Sequence, residues 1–389
     1  MSHAPASARP LLGWLLVLGL LWAVAGAALA RAAAPQDFSA VAAVDPRVSA
    51  KPGVNLERGE LAADRLSVTL SLLEAAGVGF ARFTLPWDAI EAERGQFAWD
   101  EWDRVAGAFA AHPSVIPVVV LDRSPAWARG GANADNPMAP PHERSDFGAF
   151  ARAVAERYGA AYTYYQVWHE PNIAPHWGDA AADPAGYLGL LREAATSIRH
   201  ADPDARIVAA ALAPTVEAGG ANLSDLTFLD RLYALGGRAW FDFPAIQPYG
   251  FDDAPDVPLA SDALGFQRAA AARDVMARHG DAHTPLWATS FGWNALPSDR
   301  TGEPSPWGAV SADAQAGYAS RSYELAQTEW PWLGPLIWAS WCPERPTDDP
   351  WRGFALCADA RSGPGGATWD AIARAAGAPE LMPPGAHLT

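Results

Sequence analysis

From Ser49 onward the chain alternates short apolar runs, rich in β-branched and aromatic residues, with longer stretches whose apolar positions recur at helical spacing. Runs of four to eight such residues read as buried strands, and a 3.6-residue period reads as an amphipathic helix. The pattern predicts strands at residues 53–56, 80–86, 115–121, 162–168, 207–213, 245–249, 285–290 and 335–341. It predicts helices at 64–76, 99–111, 145–158, 185–200, 226–235, 265–279, 312–327 and 369–376. Strands that alternate with helices form parallel sheets covered by those helices, and eight such units close into a barrel. The predicted fold class is therefore α/β, a single (β/α)8 TIM barrel over residues 48–389.

Residues 11–30 break this pattern as one uncharged apolar run, followed by a small-residue series from Ala28 to Ala34. A run that ends in Ala-x-Ala suits a signal peptide, and about 20 residues also suffice to span a bilayer. Residues 1–34 are expected to be a signal peptide or a membrane anchor, and 35–47 an Ala/Pro-rich linker. Either reading exports the barrel, secreted or anchored outside the cytoplasm, with the membrane touched only through this segment.

Export changes the meaning of Cys342 and Cys357, the chain's two cysteines, because a disulfide persists outside the cytoplasm. A Cys342–Cys357 bridge is expected over a pair of buried thiols. The formal net charge of -16 argues against a nucleic-acid partner, since phosphate binding needs positive surface. No metal-ligand cluster or phosphate-binding loop is apparent, so no cofactor is expected, and nothing calls for more than a monomer. The 18 tryptophans suit a large core or stacking against sugar rings.

The strand ends carry the candidate chemistry, because barrel enzymes hold their sites at the C-terminal face. The aromatic run Tyr165-Gln166-Val167-Trp168-His169 stops at Glu170-Pro171-Asn172. Arg82 lies in the second strand, Asp122 follows the third, and Tyr249, Ser290 and Trp341 end the last three. A carboxyl group among aromatic planes at a barrel mouth is what glycoside chemistry asks for: an acid protonates the leaving oxygen while rings hold the sugar. Trp293 and Trp341 are the expected stacking residues, while Trp99, Trp287, Trp338 and Trp369 are expected in the core.

Five segments, in order, resemble the large clan of retaining (β/α)8 glycoside hydrolases, above all its β-xylosidase/iduronidase-like and cellulase-like families. They are Phe80-Ala81-Arg82-Phe83 with Trp87-Asp88, Trp168-His169-Glu170-Pro171-Asn172, Gln247-Pro248-Tyr249, Trp287-Ala288-Thr289-Ser290-Phe291-Gly292-Trp293 and Ile337-Trp338-Ala339-Ser340-Trp341. The resemblance implies that Glu170 takes the acid/base position and that Arg82, His169 and Tyr249 face the sugar. It also implies that Ser290 stands where the family has its nucleophilic glutamate, His169 where it has an asparagine, and Gln247 where it has a histidine.

Retaining hydrolysis needs a second carboxylate about 5–5.5 Å from the first, and an unactivated serine is a weak substitute. Three readings are open. The protein acts on extracellular oligo- or polysaccharide by another route, with Asp122 or Glu344 as the alternative base. It binds glycan without catalysis, as a pseudo-glycosidase in polysaccharide secretion or capture. Or it is a transglycosidase. The resemblance also leaves Arg82 facing a neutral serine, which predicts a compensating anion such as an acidic sugar.

Overall fold

The computed structural model describes residues 51–133, 135–260, 262–357 and 366–377, all within the unit Ala43–Thr389. The expected export segment at 1–34 and the linker at 35–47 lie outside the described residues. Among the described residues no helix is long and apolar enough to cross a membrane.

Eight strands form the inner wall: β1 Pro52–Asn55, β2 Phe80–Pro86, β3 Ile116–Asp122, β4 Tyr164–Val167, β5 Arg206–Val208, β6 Ala245–Ile246, β7 Leu286–Phe291 and β8 Leu333–Trp338. Around them lie α1 Ala63–Ala75, α2 Asp100–Ala111, α3 Arg144–Tyr158, α4 Pro184–Ala201, α5 Asp225–Ala234, α6 Arg268–Arg278, α7 Ala312–Thr328 and α8 Gly366–Ala375. The sheet runs in the order β5-β4-β3-β2-β1-β8-β7-β6, and each recorded pair is parallel. Parallel bridges Val208↔Phe243 and Leu212↔Ile246 join β5 to the β6 edge and bring the ends of the sheet together. The architecture is the predicted TIM-type barrel.

Several predicted strands are shortened, and the causes are local. After Val208 the backbone leaves the ladder because side chains capture it: Ala210 N donates to Tyr187 Oη (2.6 Å) and Ala213 N to Asn172 Oδ1 (2.9 Å). β6 ends before Gln247-Pro248-Tyr249, where Pro248 has no N–H to give. β4 ends because Trp168 turns into the left-handed region, at φ 70.

Side chains alternate faces along a strand, so the barrel interior is built in layers. Its lower layer includes Phe80, Val118, Tyr164, Val208, Trp287 and Ile337. The rings of Phe80, Tyr164 and Trp287 meet one another at 5.0–6.1 Å between centroids and plug the barrel. Gly53 lets β1 approach this plug, because a Cβ there would lie 2.8 Å from Phe80 Cβ. Two residues further along their strands come Asn55, Arg82, Gln166 and Thr289. Alternation therefore places a polar layer on top of the aromatic one, and Asp122, four residues beyond Val118, faces the same way.

Cys342 and Cys357 are joined as a disulfide with Cα atoms 5.4 Å apart. The bridge ties the start of the segment after β8 to its later part. Buried Glu60 supports it by accepting from Cys342 N at 2.6 Å, and burial pushes the Glu60 carboxyl up to about 7.

Candidate active site

The turn that carries Glu170 is held in a conformation its sequence would not adopt unaided. Trp168 and Glu170 have φ of 70 and 51, a region that costs a non-glycine residue energy and needs surrounding structure to enforce it. That structure is present. Trp168 Nε1 donates to His176 O (2.8 Å), Gln166 Nε2 to Trp168 O (2.8 Å), and Glu170 N to Ala211 O (2.9 Å). Asn172 is fully buried and its amide spans Ala213 and Leu223.

The Glu170 carboxylate projects from this turn into a set of donors. Gln247 Nε2 donates to Oε1 at 2.6 Å. His169 Nε2 lies 3.6 Å from Oε1 and His176 Nε2 3.2 Å from Oε2. Burial pushes the carboxyl up, but the N–H groups of the two imidazoles and of the Gln247 amide, with the charge on Arg82, outweigh it and hold the group below its usual range. Glu170 is therefore placed as a carboxylate, a base or acceptor, rather than as a reservoir of protons near neutral pH.

Arg82 is 7% exposed on the inner face of β2. Its Nε donates to Gln166 Oε1 (2.9 Å), Nη1 to Asn55 Oδ1 (2.6 Å), and Nη2 faces His169 Nδ1 at 3.2 Å. A guanidinium only donates, so His169 Nδ1 is the acceptor and the ring proton sits on Nε2, toward Glu170. Burial, Arg82 and His176 push the His169 imidazole down to about 3, so it is neutral.

Ser290, 4% exposed, meets Tyr249 Oη at 2.6 Å, and Tyr249 Oη meets Gln247 Oε1 at 3.1 Å. The direction of this chain is fixed from its far end. The Gln247 amide donates to a carboxylate, so its carbonyl must accept from Tyr249, and the Tyr249 oxygen must accept from Ser290. The serine proton is committed to a phenol whose own ionisation burial pushes up, and among the described residues no hydrogen bond joins Ser290 to a base. Ser290 is thus linked to Glu170 through two neutral groups and is not activated as a nucleophile.

Asp122 ends β3, 7% exposed, and accepts a backbone hydrogen bond from Arg123. Burial pushes its carboxyl up to about 7 against the pull of Arg123 and Arg82. The Arg123 side chain itself is paired with Asp88 at 3.2 Å. Glu344 does not reach the mouth as a base: it is 75% exposed and contacts Arg65 at 3.4 Å.

The two tryptophans expected to stack on sugar are packed instead. Trp293 is 0% exposed, lies against Phe266 and Tyr318, and gives its Nε1 proton to Asp253 O at 2.7 Å. Gly250 passes beneath it so closely that a Cβ there would overlap the Trp293 indole. Trp341 is 2% exposed, against Trp369 and Thr69. The open aromatic surface is built from half-buried Trp307 and Trp351, with ring centroids 5.0 Å apart and planes at 68°. Trp351 in turn meets Tyr249 at 6.2 Å.

Asn55, Gln166, His176 and Trp307 are the site residues that motif reading misses. Asn55 and Gln166 could have been found from the alternation with Gly53 and Tyr164. His176 and Trp307 arrive from loops and carry no local signal. Among the described residues no group of three or more His, Cys, Asp or Glu side chains is arranged to hold a metal ion.

No family model matches the chain, and no curated protein matches it. Solved structures do. A family 39 glycoside hydrolase from the gut symbiont Bacteroides cellulosilyticus aligns with TM-score 0.64 and 21% identity over 86% of this chain, which spans 65% of that protein's length. A family 39 β-xylosidase from Caulobacter crescentus gives 0.60 and 16%, covering 85% of this chain and 72% of the other. An exo-β-1,4-mannosidase from an Opitutaceae bacterium gives 0.55 and 15%, covering 84% and 59%. At these identities the likeness is one of fold, a distant glycoside-hydrolase-like barrel.

Proposed function

We propose that the chain is an exported, monomeric carbohydrate-active protein that takes an oligo- or polysaccharide at the C-terminal mouth without forming a glycosyl-enzyme. The observation that carries this reading is the locked hydroxyl of Ser290, which donates to Tyr249 and, among the described residues, has no hydrogen bond to a base. Glu170, in the acid/base position of the retaining clan, acts as an ionised acceptor of sugar hydroxyls, consistent with its depressed pKa. Arg82, His169, Tyr249 and the indoles of Trp307 and Trp351 complete the binding surface. Capture or secretion of polysaccharide suits such a site, and the disulfide supports export.

Asp122 favours a second reading. A carboxyl near 7 on the inner face is suited to exchange protons at neutral pH, which would allow water or an incoming sugar to react directly, as in an inverting hydrolase or a transglycosidase.

A panel of polysaccharides, scored for binding and for product with the wild type and Glu170→Gln, tests both. Binding without product is the expected result, weakened in the variant. Product that disappears in Asp122→Asn establishes the second reading. A covalent adduct with an activated 2-fluoro glycoside would overturn the proposal, because only a working nucleophile forms one.

A further inference from the structure

The charges around Asp122 cancel in pairs and leave it over. Arg123, Asp88 and Arg82 are the charged groups that act on it. Arg123, next in the chain, turns its guanidinium to Asp88 at 3.2 Å. Arg82, on the neighbouring strand, is held by the neutral acceptors Gln166, Asn55 and His169. It calls for no anion from outside, because Glu170, and Asp122 after it, act on its charge from within the chain. With Asp88 set against Arg123 and Glu170 against Arg82, the carboxylate of Asp122 has no cation of its own.

Asp122 also has unused hydrogen-bonding capacity. It is 7% exposed and faces the barrel interior with the polar layer. Among the described residues the Arg123 backbone is its only hydrogen-bond donor, whereas a carboxylate can accept about four. A buried ion without a partner is costly, and burial accordingly pushes the group up to about 7. An ammonium group brings what is missing, since it combines one positive charge with three N–H donors at a single compact centre.

The rest of the mouth suits a cation as well. Segments 247–267, 292–311 and 339–357, which follow β6, β7 and β8, contain nine carboxylates and three arginines. A cleft lined by one sign of charge concentrates ligands of the other. The same segments carry Phe251, Trp307 and Trp351, half-buried rings packed against Tyr249 and Phe354. The face of an aromatic ring attracts a cation and also accepts the C–H face of a sugar.

We infer that the mouth is built for a glycan with free amino groups, a hexosamine whose nitrogen is not acylated, and that its ammonium docks on the Asp122 carboxylate. The sugar hydroxyls then face Glu170, and neighbouring residues of the glycan lie toward Phe251, Trp307 and Trp351. This deepens the proposed function and rests on it. Asp122 is a binding residue in this arrangement, and it selects for charge on the sugar nitrogen.

The test is calorimetric titration of the full chain at physiological salt, where attraction between distant surface charges is screened. The probes are oligomers of glucosamine and of galactosamine, each beside its fully N-acetylated counterpart, and a lysine oligomer with as many amines. A charge-assisted contact predicts that at least one free-amine oligomer binds roughly 10- to 100-fold tighter than its N-acetylated form. Asp122→Asn, which keeps the shape and removes the charge, should bring that ratio close to one. A second measurement needs no variant. At about pH 6 Asp122 is largely protonated, so docking an ammonium must displace its proton, and the heat of binding should depend on the ionisation enthalpy of the buffer. Equal binding of the free and N-acetylated oligomers overturns the inference and leaves the carbohydrate function standing. A preference for free amine that persists in Asp122→Asn, or binding without proton release, overturns the assignment to Asp122. A lysine oligomer that binds as tightly as the sugars reduces the effect to bulk attraction and overturns it too. Failure of every glycan to bind overturns both the inference and the proposed function.

Discussion

A carboxyl group that is 7% exposed and accepts a backbone N–H costs stability whenever it is ionised, and Asp122 is such a group. Its folded pKa, pushed up by burial to about 7, lies above the unfolded value of about 3.9. Between those values the native chain keeps a proton that the unfolded chain has lost. Stability contributed at this site is therefore greatest below about pH 4 and falls as the pH rises toward 7. Asp122→Asn removes the titration. Thermal unfolding should show little difference between variant and wild type at pH 4. The variant should gain progressively to pH 8, where about three pKa units set an upper limit on the order of 4 kcal/mol. A gain independent of pH would mean that the carboxyl is not the source. A costly acid held at a barrel mouth fits a functional role, since such sites commonly trade stability for chemistry. Glu170 illustrates the opposite sign a short distance away: its depressed pKa contributes stability near neutrality that is lost as the pH falls through the folded value.

At the scale of elements, the strand–helix alternation is readable because burial leaves a simple signature: β2 begins and ends where its apolar run does, at Phe80 and Pro86. β5 is shorter than its apolar run because Tyr187 and Asn172 take backbone groups away from the ladder, which the sequence does not reveal, and β6 is shorter because Pro248 has no N–H to give. The Glu170 and Ser290 positions are legible in motifs. The burial of Trp293 is not, because it depends on Gly250 and Phe266, far away in the chain. The turn after β4 makes a direct test of this kind of long-range support. Asn172 holds the ends of two separate segments through Ala213 and Leu223, with its amide completely buried. Asn172→Ala leaves two carbonyls and one N–H without that partner, at about 1–3 kcal/mol for each group left unsatisfied. Denaturant unfolding should show a loss of several kcal/mol, and glycan binding should weaken because the strained φ of Glu170 is no longer enforced. A loss below about 0.5 kcal/mol, less than the net worth of one hydrogen bond, would show that the turn holds itself.

For the whole molecule, residues 339–357 after β8 carry both the disulfide and part of the aromatic wall. The last strand ends at Trp338, and α8 packs beside α7. The disulfide closes a separation of 15 residues in the segment after β8, and a loop of this length is stabilised by about 3 kcal/mol through restriction of the unfolded chain. The aromatic wall rests on the same segment, since Trp351 and Phe354 lie between the two cysteines and contact Trp307 and Tyr249. Loss of the bridge should therefore affect stability and binding together. The double variant Cys342→Ser/Cys357→Ser should melt roughly 3–5 °C below the oxidised wild type, and reductant should lower the wild type to the same point while leaving the variant unmoved. Glycan affinity should fall in parallel, because Trp351 loses its anchored loop. If melting falls and affinity does not, the loop is positioned by the packing of Phe354 against Tyr249 alone, at 5.5 Å. A wild type indifferent to reductant, with its thiols shown to be free afterwards, would remove the disulfide both as a structural tie and as support for an exported life.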